Sequence, residues 1–147
     1  MKVIRRATHR ERRKGVSAVE LGLILPLLML IVLGAIDFGR FAYAYIGVTN
    51  ASRAGAGFGI MHPYTPATES NWQASVRQAV LDELATVISG SNFTATDVVV
   101  TTSRVVENDG LQRITVTVTF PFQTLVAWPG IPNQVNLTRS IVMRVIR

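Results

Sequence analysis

Hydrophobic positions along the chain fall into three regimes. Residues 16–36 read VSAVELGLILPLLMLIVLGAI, apolar all round, with Glu20 as the single charge. As a helix that stretch is about 32 Å long, matching a hydrocarbon core of ~30 Å. A buried helix of a soluble protein would keep a polar stripe, and residues 21–36 have none. Farther on, Trp72, Val76, Ala79, Val80, Leu84, Val87 and Ile88 recur at helical spacing. They predict a one-sided helix with its N-cap at Ser70 and Gln73 three residues on, running to about Ser89 and ended by Gly90. The period then switches to two. Residues 97–107 and 111–120 predict a hairpin around Asn108-Asp109-Gly110, with Ile114, Val116, Val118 and Phe120 alternating against Thr115, Thr117 and Thr119. Residues 135–146 read as a last, antiparallel strand. Between them Pro121, Pro129, Gly130 and Pro132 predict an apolar loop around Trp128, with Phe122, Leu125, Val126 and Ile131. Two readings of that loop stay open: cover for the sheet end, or contact with a partner or a membrane surface.

One helix over roughly three antiparallel strands is a two-layer solution. The expected fold class is therefore α+β: an N-terminal transmembrane helix extended as a long helix, then a helix packed on a roughly three-stranded antiparallel sheet. The expected organisation is a basic leader at 1–15, the transmembrane and extended helix at 16–59, and an exported α+β domain at 60–147. Pro63 and Pro66 mark the break between the last two.

Charge sharpens this picture. The 147 residues carry a net +6, yet residues 16–147 hold eight arginines against eight acids. The whole imbalance lies in Lys2, Arg5, Arg6, Arg10, Arg12, Arg13 and Lys14, opposed only by Glu11. A basic arm can bind nucleic acid. Running straight into an apolar span, it instead predicts a cytoplasmic N-terminus under the positive-inside rule, with the remainder exported. A cleaved signal peptide would need a small-x-small site just past a shorter apolar core, and Ala42-Tyr43-Ala44 lies beyond Asp37 and Arg40.

Catalytic chemistry is missing from the pattern. The absence of cysteine excludes disulfides, thiolate metal sites and cysteine nucleophiles. Only His9 and His62 are present, and His62 has no second ligand near it in sequence. Asp82 and Glu83 are adjacent on a helix and point apart, which is wrong for an acid/base pair. Glu107 and Asp109 flank a turn and read as solvated rather than as calcium ligands. The expectation is a protein that is not an enzyme, with no cofactor, no metal, no nucleic-acid partner and no small-molecule substrate.

Two features ask for a role. Glu20 lies one turn inside the span, where a carboxylate is costly and functional by default, although the helix N-terminus favours an anion. It either snorkels to the interface or takes a cation, and cutting after Gly15 would create one, the α-amino group of Val16, in its own chain or a neighbour. Second, Gly47, Ala51, Gly55 and Gly59 recur every four residues. Such a stripe lets another backbone approach closely. Its occupant is either a neighbouring subunit's helix or the chain's own globular part.

Arg13-Lys14-Gly15 followed by Val16-Ser17-Ala18-Val19 and Glu20 resembles the processing site of type IV pilin-like precursors. The order continues with Leu25-Pro26-Leu27-Leu28, Gly34-Ala35-Ile36-Asp37-Phe38-Gly39-Arg40 and Asn50-Ala51-Ser52-Arg53-Ala54-Gly55-Ala56. Over about residues 13–56 this succession is similar to the TadE-like proteins, minor pseudopilins of the tight-adherence (Flp) pilus. The resemblance implies cleavage after Gly15 by a prepilin peptidase, with Lys14, Gly15, Val16 and Glu20 at the processing site and Val16 and Glu20 as the assembly contact. It also implies a pilin-like fold and a bacterial inner-membrane protein with a structural role. Partners would be other pilins or pseudopilins and the pilus-assembly platform. Where the family usually has an aromatic residue after the glutamate, this chain has Leu21. The other readings are a single-pass anchored envelope-binding module and a pseudopilin of a type II-like secretion system.

Overall fold

A computed structural model describes residues 10–62, 65–108 and 110–144, with residues 10–14 described by backbone alone. The elements are α1 (Arg10–Met61), a 3-10 turn at Pro66–Thr68, α2 (Glu69–Ser89), β1 (Val99–Val106), β2 (Gln112–Gln123) and β3 (Gln134–Arg144). This is an α+β arrangement. By its internal contacts the chain divides into one unit up to Phe38 and a second from Gly39.

The first unit is the N-terminal part of α1. Pro26 lies inside the helix and removes one backbone donor, yet the helix runs through it. The large apolar side chains between Leu21 and Ile36 all stand exposed, Leu23 at 75%. Water would penalise each of them, at roughly 25 cal/mol per Å² of apolar surface. An all-round apolar exposed helix of this length fits a membrane span. Among the described residues it is the one helix long and apolar enough to cross a membrane.

The second unit is a layer of two helices on a three-stranded sheet. The strand order is β1-β2-β3 with both pairings antiparallel. β2 is central, and its inward positions Ile114, Val116, Val118, Phe120 and Phe122 are all buried. They meet Val76, Val80 and Leu84 of α2 and Val48 and Ala51 of α1 in one core. The opposite face is a lawn of hydroxyls: Thr117 donates to Ser140 at 3.0 Å, and Thr119 and Thr138 lie 3.0 Å apart. Two-residue periodicity thus puts aliphatic carbon inward and β-branched hydroxyls outward.

Four local expectations need correction. α2 begins at Glu69, not after a Ser70 cap. The preceding turn is locked by Thr68, whose hydroxyl accepts from the Thr65 N–H at 3.0 Å, and Gln73 donates to Glu69 at 3.2 Å instead of reaching back to Ser70. Pro121 is not loop but strand, opposite Asn136. β1 ends its pairing at Val99 opposite Thr119, so Pro121 lies past the reach of β1 and its missing N–H breaks no bond on that side. β1 starts at Val99 because residues 94–97 close a turn, in which the Thr94 N–H and hydroxyl both donate to Asp97 Oδ2 at 2.8 Å. Arg77 clamps the same segment, donating to the carbonyls of Ala95 and Val98. Finally, Glu107 is not solvated. Its side chain is only 14% exposed and pairs with both Arg113 and Arg144, which stand directly opposite each other on β2 and β3. The carboxylate screens two like charges that the register brings together. The hairpin turn itself is as expected: Gly110 N–H donates to Glu107 O at 2.9 Å, and Gly110 takes φ +78, where glycine is unstrained.

The Thr94 bonds hold the Asp97 carboxyl below its ordinary value of 3.8. A carboxylate depressed by folding adds stability that is present above its unfolded pKa and disappears as pH falls through the folded pKa. Titration of Asp97 by NMR should therefore give a midpoint below 3.8, returning toward 3.8 in Thr94→Val.

Candidate functional site

Gly15, Val16 and Glu20 all lie in the first unit, on the unbroken helix α1. Val16 and Glu20 are four residues apart, so they share a helix face with about 6 Å of rise between them. Both are exposed, Val16 at 55%. Nothing stands within 4 Å of where a Cβ at Gly15 would be. The backbone of Lys14 is helical, and its side chain lies outside the described residues. This part of the candidate site is thus an apolar helix surface with one carboxylate, open along its length to whatever surrounds it.

The glycine stripe lies in the second unit and is filled from within it. A Cβ on Gly47 would stand 2.5 Å from Val87 Cγ2, and one on Gly55 2.5 Å from Val80 Cγ2 and 3.3 Å from Val116 Cγ1. At Gly59 it would stand 3.1 Å from the Trp72 ring and 3.3 Å from Ile114. Ala51 is fully buried. The contacts run downward on α2 as they run upward on α1, so the two helices are antiparallel, and missing side chains let α2 and β2 approach the α1 backbone closely.

Other side chains fix α1 to the sheet in ways that spacing alone did not reveal. Ser52 is fully buried, donates to the Val48 carbonyl at 2.7 Å and lies 3.4 Å from the Arg139 carbonyl on β3. The Arg139 guanidinium stacks 4.1 Å from the Tyr45 ring centroid. Arg40 reaches the Gln123 carbonyl at 3.4 Å, with the Phe122 ring 5.7 Å away, and Phe41 meets Phe122 edge-on. The contact of Arg40 with Gln123 could be placed only once β2 was in position.

The catalytic candidates stay apart. Asp82 accepts from Gln78 at 2.7 Å, one turn back on its own helix. His62 stacks on Phe58, and its Nδ1 lies 3.0 Å from the Phe58 carbonyl, closing the end of α1. His9 and Asp109 lie outside the described residues. Among the described residues no three His, Asp or Glu side chains are grouped to hold a metal ion.

Comparison with known proteins adds one finding. Residues 15–57 match the family model described as TadE-like protein. The matched segment starts at Gly15, contains Val16, Glu20, Gly47, Ala51 and Gly55, and stops short of Gly59. No curated protein and no solved structure gives a significant match.

Proposed function

We propose that this chain, TadE-like over residues 15–57, is a membrane-anchored component of a tight-adherence pilus and acts there as a minor pseudopilin. The observation that carries the reading is a coincidence of place. The family match begins at the glycine that precedes Val16 and Glu20, and it runs along the one described helix apolar enough to span a bilayer.

The proposed mechanism follows from helix electrostatics. The basic arm holds the N-terminus in the cytoplasm. A prepilin peptidase removes residues 1–15, and glycine, costing about 1 kcal/mol in a helix, is the residue at which local unwinding is easiest. The new ammonium of Val16 sits at the positive end of the helix dipole, where it needs an anion. Glu20 provides one, and the same carboxylate needs a cation inside the span. Pairing between neighbouring chains satisfies both groups and sets the register of helices side by side. Other pilins or pseudopilins supply those neighbours, and the assembly platform organises them. The α+β unit faces the exported side, and the role is structural rather than enzymatic.

Deleting the gene in its source bacterium is the test. Surface pili should be lost and return when the full chain is supplied in trans. Undiminished piliation in the deletion strain would contradict the reading.

A further inference from the structure

We propose that the β2–β3 loop, residues 124–133, docks on the surface of the same membrane that holds the anchor, with Trp128, Leu125 and Ile131 in the lipid headgroup layer. The proposal rests on the membrane-anchor reading of α1 and adds a second contact to it. Its first support is position. Arg40 reaches the Gln123 carbonyl, at the residue where β2 hands over to the loop. Arg40 is also only four residues past Ile36, the end of the apolar run, which is about 6 Å of helix rise. The headgroup layer of a bilayer is itself about 5–8 Å deep on each side. The loop therefore starts beside a residue that covalent connection keeps at the membrane surface.

The second support is chemistry. From Gln123 to Thr138 there is no charged side chain, and Leu125 and Ile131 are 61% and 58% exposed. Trp128 is half-buried, and tryptophan favours the interface between lipid and water. Tyr43 and Tyr45 are exposed a turn further along α1, at the start of the second unit. The opposite end of the sheet is different in kind, carrying Glu107, Arg113 and Arg144.

The third support is order. Thr124 N–H donates to the Asn133 carbonyl at 3.0 Å and closes the loop. Within it Ile131 N–H donates to the Trp128 carbonyl at 3.2 Å, with Pro129 and Gly130, φ +80, between them. Proline then a positive-φ glycine is the composition of a tight type II turn. The turn holds Trp128 and Ile131 as a prepared pair, so docking orders little that is not ordered already.

The chain has no cysteine, so a spin label can be placed at one position at a time. Full-length Ile131→Cys, Leu125→Cys, Asn108→Cys and Ile24→Cys would each be labelled in phosphatidylethanolamine/phosphatidylglycerol vesicles. Collision with oxygen and with a water-soluble nickel chelate is then measured. The labels at 125 and 131 should show several-fold less contact with the chelate than the label at 108, with the label at 24 deeper still. Labels at 125 and 131 as accessible as that at 108, with 24 deep in lipid, overturn the docking while leaving the anchor intact. A water-accessible label at 24 overturns the anchor and the docking together. Labels exposed in pure vesicles but shielded in native membranes would assign the loop to a protein partner and also overturn the proposal.

Discussion

Gly55→Leu should unfold the second unit at a temperature about 10 °C or more below the wild type. Even the first added carbon would stand 2.5 Å from Val80 Cγ2 and 3.3 Å from Val116 Cγ1, two fully buried groups on different elements. No rotamer relieves a clash at Cβ, so α1 must lift from α2 and β2. Overpacking of this kind costs about 3 kcal/mol, at the upper end of the usual range, and each kcal/mol is worth several degrees in a domain of this size. Gly57 is the control. It lies two residues along the same helix with nothing within 4 Å of its would-be Cβ. Gly57→Ala should therefore be neutral or stabilising by up to about 1 kcal/mol, since alanine is the better helix former. Near-UV circular dichroism of the full chain in detergent reads this directly, because both tryptophans lie in the second unit. Equal melting of Gly55→Leu and wild type would mean that α1 does not pack as described.

Glu20→Ala should leave membrane insertion intact and abolish piliation. Removing a carboxylate makes residues 16–36 wholly uncharged, so insertion becomes easier. On the proposed function, what is lost is the counter-ion for the Val16 ammonium that cleavage after Gly15 creates. An unpaired charge costs about 2.5–3.5 kcal/mol at the bilayer centre and less near the interface, so each helix pairing should weaken by about 10-fold or more. Many such contacts in series turn that into absence of fibres. Glu20→Asp, which keeps the charge but shortens the reach, should retain some. Membrane fractionation together with counting of surface pili separates the two effects, and normal piliation in Glu20→Ala would remove the role assigned here to Glu20.

What could be read from the chain depended on how local the cause was. The span, the α2 stripe from Trp72 to Val87 and the alternation from Ile114 to Phe120 are repeated patterns, and each specifies its own element. Both helices lie on one sheet face because the inward residues of β2 need cover and the threonines do not. Boundaries depended on single bonds that periodicity does not encode. Ser70 has the composition of a cap, but the Thr65–Thr68 contact starts the helix earlier. Pro121 reads as a loop residue unless one knows that β1 stops at Val99.

The functional features divide the same way. Gly15, Val16 and Glu20 stand on one helix as their spacing predicts, and the role proposed for them comes from the resemblance rather than from that spacing. The occupant of the glycine stripe was undecidable from spacing, since a helix of the same chain and a helix of a neighbour need the same small residues. Glu107 between Arg113 and Arg144 was missed because the two arginines are 31 positions apart and meet only through the β2–β3 register. The contact of Arg40 with Gln123 crosses 83 positions, and nothing in either neighbourhood advertises it.

Use as a pseudopilin requires that the chain be cut after Gly15. The most direct measurement is the intact mass and N-terminal sequence of the protein purified from its native membrane. The mature chain should begin at Val16, Leu21 notwithstanding. A chain that still begins at Met1 would contradict it and leave a simple membrane anchor carrying an exported domain.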